Sequence, residues 1–269
     1  MSLDRRAFLS LSSLALAGCR LPHWGGGPRL ACQMWGVKDI WQRRGDVTAI
    51  FPEIAAMGYD GVQSMAFWDY DADHLAKALD ASGLAVADMP VKFDHVADNR
   101  IEETVAFCRR FDVDFVYIPW QKNGGHADWA AFRDQLLVAA RKLRPYGIRI
   151  GYHNHLQEFK PFPTGEPGCP IDVLAEAPGI DFELDIGPIA ESGGNAVEWL
   201  RRLSGRVPGL HAKPYGATAI GLTGDVQDWP EVISAARSGN VKWMVVECET
   251  RKDTFDDVAA SIRYLRRVL

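Results

Sequence analysis

The chain has 269 residues, 47% of them hydrophobic and 24% charged, the balance of a globular protein with one sizeable core rather than of a disordered, collagen-like or membrane-spanning chain. Formal net charge is −5 and no basic run could track a phosphate backbone, so no nucleic acid partner is expected. Length does not separate two domains from a single (β/α)8 barrel of about 250 residues, so the order of elements must decide.

The N-terminal segment differs from the rest of the chain. Asp4-Arg5-Arg6-Ala7-Phe8-Leu9 resembles a twin-arginine export signal, and Leu16-Ala17-Gly18-Cys19 resembles a bacterial lipobox. The apolar run between them, Leu9 to Ala17, is far short of the roughly 20 residues that span a bilayer. Together these motifs predict a signal peptide over 1–18, lipidation at Cys19, and export to the periplasm of a bacterial cell envelope, with membrane attachment only through that lipid. Pro22 and Gly25-Gly26-Gly27 read as part of a flexible tether over 19–28. The remaining cysteines, Cys32, Cys108, Cys169 and Cys248, form no CxxC pair and no dense framework, so buried thiols are expected. Cys32 and Cys248 would approach each other if the first and last strands pair.

From residue 29 onward short apolar runs alternate with amphipathic stretches. Strands are predicted over 29–35, 59–64, 84–89, 113–119, 148–154, 180–186, 207–213 and 241–247, and helices over 47–57, 72–82, 99–110, 128–146, 170–177, 195–204, 229–238 and 254–268. Gly58, Gly83 and Gly147 stand where helices should end. Asp71, Asp98, Asn195, Asp228 and Asp253 stand where helices should begin and could accept from free backbone amides. Eight strand-then-helix units with short links predict one closed (β/α)8 TIM barrel over 29–269. A doubly wound sheet is the alternative, opposed by the lack of a Gly-rich dinucleotide loop after the first strand.

Chemistry in such a barrel collects at the C-terminal ends of the strands, and period two tells which residues share a face. The fifth strand brings His153 and His155 to the mouth, the sixth Asp185, the seventh His211 and Lys213, and the eighth Glu247, with Glu249 next on the same parity. Four consecutive strands thus offer His153, Asp185, His211 and Glu247 as a ligand set. Imidazole and carboxylate together suit a divalent metal such as Mn, Co, Zn, Fe or Mg. The bland alternative is a network of ion pairs closing the mouth. Gln33 and Trp35, inward at the end of the first strand, could contact a sugar ring or merely line the barrel.

Gly151-Tyr152-His153-Asn154-His155 with Glu158-Phe159, Asp181-Phe182-Glu183-Leu184-Asp185-Ile186-Gly187, His211-Ala212-Lys213 and Val246-Glu247 resemble the sugar phosphate isomerase/epimerase family of xylose isomerase-like TIM barrels, from about Leu30 to the C-terminus. The resemblance implies a divalent metal held by Glu, Asp, His and Glu of the last four strands. Asp185, His211 and Glu247 match three of these; His153 stands where many members have the first Glu, and Glu158 is its rival. Pro214 replaces an Asp that often follows the His-x-Lys pattern. The resemblance also implies α-proton chemistry next to a carbonyl of a small carbohydrate, giving an isomer, an epimer or, if a β-oxygen is expelled, a lyase product from an inosose or 3-keto-glycoside. Glu247 and Glu158 are the expected acid and base residues, Lys213 a holder of the developing oxyanion that could also bind substrate, and His155 a further catalytic or substrate-binding group. Two other classes compete: an envelope lipoprotein that binds sugar without turnover, and a metal-dependent endonuclease, which the acidic balance opposes.

Overall fold

A computed structural model describes residues 27–269; the predicted signal peptide, Cys19 and all but the end of the tether lie outside the described residues. Nine parallel strands make one sheet: β1 (Arg29–Gln33), β2 (Gly61–Gln63), β3 (Ala85–Val86), β4 (Met89–Pro90), β5 (Phe115–Ile118), β6 (Arg149–His153), β7 (Asp181–Asp185), β8 (Gly209–Ala212) and β9 (Trp243–Val246). Their spatial order is β3-β2-β1-β9-β8-β7-β6-β5-β4. The two end strands are joined through Ala87 and Asp88 alone. β3 pairs with β2, and β4 with β5, so the predicted third strand changes partners halfway and the sheet returns on itself as a nearly closed barrel.

Both faces of these strands are covered, as parallel strands require. Leu30, Cys32, Val62, Ile150, Phe182, Leu210 and Met244 join the large core beneath the helices. Residues of the opposite parity, Ala31, Trp243 and Val245 with Ala85 and Ala87, form a separate cluster inside the barrel. Gly61 is required there, because a Cβ on it would lie 2.7 Å from the Ala85 carbonyl oxygen and 2.9 Å from the Trp243 ring. A Cβ on Gly209 would lie 2.5 Å from Asp88 Oδ2, so its absence makes room for a buried carboxyl.

The helices Ala72–Ser82 and Trp229–Ser238 have the predicted bounds. Asp71 accepts from the Asp73 and His74 amides, Asn195 from Val197 and Glu198, and Asp228 from Glu231, satisfying free N–H groups of the first turn. Gly83 and Gly147 end their helical segments at φ +70° and +76°. Two expected caps are corrected. Asp98 pairs instead with Lys142 at 2.6 Å, and Asp253 lies upstream of a helix that starts at Asp256. The predicted 47–57 helix is a 3-10 turn, Val47–Ile50, followed by Phe51–Ala56, whose start carries Pro52. Lys38–Arg44 and Ile186–Glu191 are additional short helices. Among the described residues no helix is long and apolar enough to cross a membrane.

Candidate functional site

The ends of β6, β7 and β8 bring His153, Asp185 and His211 together. One ligand atom from each lies within 4.8 Å of the others, and all three residues are buried. The register explains this: Asp185 stands beside His211, and His153 beside Glu183. Asn154, of opposite parity, clamps the two strand ends from behind. Its Nδ2 donates to the Asp185 carbonyl at 2.9 Å and its Oδ1 accepts from the Asp185 amide at 3.0 Å. Asp185 Oδ1 in turn accepts from the Gly187 amide at 3.0 Å, which fixes the carboxylate at the start of Ile186–Glu191.

Glu247, the residue after β9, adjoins this trio. Its Oε2 lies 2.8 Å from His211 Nδ1, yet that nitrogen makes no aligned hydrogen bond and is buried. Lys213 Nζ reaches Glu249 at 2.7 Å, Glu247 at 3.8 Å and Asp185 at 3.9 Å. Burial alone would raise the Glu247 carboxyl, but contact with His211, Glu249 and Lys213 holds it well below its usual range. Burial would lower Lys213, and the three carboxylates around it raise it instead, so it stays cationic. Burial raises Asp185, against the pull of Lys213. For His155, burial first and then the neighbouring His153 bring the imidazole down to about 3, leaving it neutral at physiological pH.

Beneath the trio lies a polar layer that the sequence pattern did not single out. Glu183 Oε1 stands 3.1 Å from His211 Nε2, and Glu183 Oε2 stands 3.2 Å from His153 Nδ1. Gln63 Nε2 donates to both Asp88 Oδ1 and Glu183 Oε1, while Gln63 Oε1 lies 3.0 Å from His211 Nε2. Gln63, Asp88 and Glu183 are all buried. Burial would raise Glu183, but the two imidazoles outweigh it and bring the carboxyl down to about 2. Asp88, desolvated and facing the Glu183 charge, is pushed well above the usual carboxylate range.

The other predicted residues separate into two groups. Gln33, Trp35 and His155 line a cavity of about 330 Å³ at the mouth, together with His153, His211, Glu247 and Glu249. β1 ends at Gln33 rather than at residue 35, and Trp35 projects from the 3-10 turn Met34–Val37. Lys38 and Lys252 place their ammonium groups 3.8 Å and 4.7 Å from its ring centre. Glu158 lies apart from the trio and is buried. It accepts from the Tyr152 hydroxyl at 2.6 Å, the His155 amide at 2.7 Å and Gln157 Nε2 at 2.9 Å, closing the turn Leu156–Phe159.

The cavity lining mixes these imidazoles and carboxylates with Trp35, Met65, Pro90, Tyr117 and Pro119, of which Tyr117 packs against the His153 ring at 5.7 Å between centres. Two imidazoles with one carboxylate, and a second carboxylate adjoining, suit a divalent cation of the Mn, Fe, Co or Zn type. The buried His211 Nδ1, 2.8 Å from Glu247 Oε2 yet without an aligned hydrogen bond to it, is the observation on which the fit rests, since two buried lone-pair donors side by side suit a shared cation.

Comparison with known proteins agrees with this architecture. The family described as xylose isomerase-like TIM barrel matches residues 51–268. A sugar phosphate isomerase/epimerase from Parabacteroides distasonis superposes with a TM-score of 0.74 at 18% identity, covering 90% of this chain and 98% of the other. A D-psicose 3-epimerase with D-tagatose, from Clostridium cellulolyticum H10, gives 0.63 at 13% identity, covering 90% and 99%. An AP endonuclease, family 2, from Brucella melitensis gives 0.66 at 15% identity, covering 89% and 98%. No curated protein matches the sequence. At such identities the solved structures speak for the fold, while the family match spans most of the chain: this protein belongs to the xylose isomerase-like TIM barrel family.

Proposed function

We propose that the protein is a divalent-metal-dependent isomerase or epimerase that abstracts the proton α to the carbonyl of an unphosphorylated keto-sugar or cyclitol. The observation that carries this reading is the trio His153, Asp185 and His211 set beside the anionic Glu247, with His153, His211 and Glu247 lining an open cavity. A divalent ion held by the trio would supply Lewis-acid stabilisation of the negative charge that develops on a ketone oxygen as the adjacent carbon loses its proton. The chain's own groups provide the rest. Glu247, held ionised by His211 and Lys213, is the base. Lys213, between Asp185, Glu247 and Glu249, offers a fixed positive charge to a developing oxyanion. Neutral His155 can accept a hydroxyl hydrogen bond or relay a proton. The apolar lining residues Met65, Pro90 and Pro119 can take the carbon face of a ring.

The cavity lining contains no Lys or Arg, and the loop over 214–227 has none either, so the nearby cations are Lys213, already engaged by Glu249, Glu247 and Asp185, and Lys38 and Lys252, held over the Trp35 ring. That proteins named as a sugar phosphate isomerase/epimerase and a D-psicose 3-epimerase share the fold supports the carbohydrate class. The test is a side-by-side assay of neutral keto-sugars, cyclitol ketones and their phosphates with Mn²⁺ or Co²⁺ present. Turnover of neutral compounds is expected; turnover confined to phosphorylated ones would contradict the reading.

A further inference from the structure

The trio's two imidazoles share one carboxylate behind them. Glu183 Oε1 faces His211 Nε2 at 3.1 Å and Oε2 faces His153 Nδ1 at 3.2 Å. His153 Nδ1 and Glu183 Oε2 are buried and lie 3.2 Å apart, neither with an aligned hydrogen bond to another group, and Tyr117 is a further neighbour of the Glu183 carboxyl. On the His211 side the orientation is fixed further. Gln63 is bracketed by the carboxyl groups of Asp88 and Glu183, and both take its amide NH₂. A carboxamide that gives its nitrogen to two acceptors can present only its oxygen to a third group. That oxygen lies 3.0 Å from His211 Nε2, so Nε2 has two acceptors before it and must carry the hydrogen. Nδ1, on the opposite side of the ring, is left without an aligned partner, next to Glu247.

We infer that Glu183, seconded by Gln63, is the positioning residue of this centre: one buried carboxylate fixes the tautomer of both imidazoles, so that His153 offers Nε2 and His211 offers Nδ1 to the metal. Ligating histidines commonly donate their other ring N–H to a carboxylate, and loss of such a partner weakens metal binding by about 10- to 100-fold. Here a single residue serves two ligands on neighbouring strands. A glutamine in its place has one accepting end and cannot serve both. The inference rests on the proposed role of His153 and His211 as metal ligands.

The experiment uses the protein loaded with Zn²⁺. Histidine side-chain ¹H–¹⁵N spectra should show His211 protonated at Nε2 and bound through Nδ1, and His153 protonated at Nδ1. Zn²⁺ affinity should fall by about 10- to 100-fold in Glu183→Gln, with a changed ring-nitrogen pattern in one of the two histidines and an unaltered far-UV spectrum. His211 bound through Nε2 in the wild type would overturn the inference, and that measurement stands even if the variant fails to fold. A folded Glu183→Gln protein with wild-type affinity would overturn the positioning role alone. A wild type that takes up no Zn²⁺ would remove the ligand reading, and the inference with it.

Discussion

His211 meets Glu183, Gln63, Glu247 and His153 of the proposed centre. Its Nε2 faces Glu183 and Gln63, and its Nδ1 faces Glu247. His211→Ala should therefore leave less than about a tenth of the wild-type metal content, measured by elemental analysis, while the barrel stays folded on the strands beneath. His153→Ala should do the same. Glu158→Ala should keep its metal and lose stability instead, about 1–3 kcal/mol, because the buried Tyr152 hydroxyl and the His155 amide lose their acceptor. Metal retained in His153→Ala and lost in Glu158→Ala would reverse the two assignments. Period two placed His153, Asp185, His211 and Glu247 on one rim because strand ends announce themselves in the sequence. Glu183 shares the parity of Asp185 but lies mid-strand, where a polar residue carries no positional signal. Gln63 and Asp88 meet it only through barrel closure, across separations of 120 and 148 residues for the Gln63 contacts to Glu183 and His211.

Asp46 shows how the outer elements are held. It caps the turn Val47–Ile50 by accepting from the Thr48 amide and hydroxyl, both at 2.8 Å, and it meets His74 Nε2 at 3.0 Å. Burial would raise its carboxyl, but the bonds from Thr48 and His74 lower it below 3.8. A depressed folded pKa gives stability that is present above the unfolded value and is lost as pH falls through the folded one. Asp46→Ala should cost about 1 kcal/mol near neutral pH, with the difference from wild type shrinking below about pH 4. Urea midpoints at pH 7 and pH 3 check this; an equal difference at both would contradict it. Elements with a long apolar period, such as Ala72–Ser82, were legible to the residue. Lys38–Arg44 and Ile186–Glu191, seven and six residues long, are too short for a helical period to register. The break in the third strand falls at Ala87 and Asp88, where the Asp88 carboxyl lies beside Gly209, and an apolar pattern does not foretell it.

At the scale of the whole molecule, a net charge of −5 and a cavity whose adjoining cation, Lys213, is already engaged by Asp185, Glu247 and Glu249 both favour a neutral ligand over a polyanion. An exported enzyme would meet unphosphorylated sugars, so the proposed destination and the proposed substrate support each other. The twin-arginine reading is checked separately: Arg5→Lys with Arg6→Lys should retain the protein in the cytoplasm, and normal delivery of that double variant to the envelope would remove it. The central claim is metal-dependent proton abstraction at a carbon next to a ketone, and deuterium wash-in tests it most directly. In D₂O with neutral keto-sugars and cyclitol ketones, the Mn²⁺- or Co²⁺-loaded protein should exchange the α-proton, as read by NMR. Exchange should cease when the metal is removed and fall by at least about a hundredfold in His211→Ala. A metal-loaded protein that exchanges no α-proton, or exchange undiminished without metal, would contradict the account.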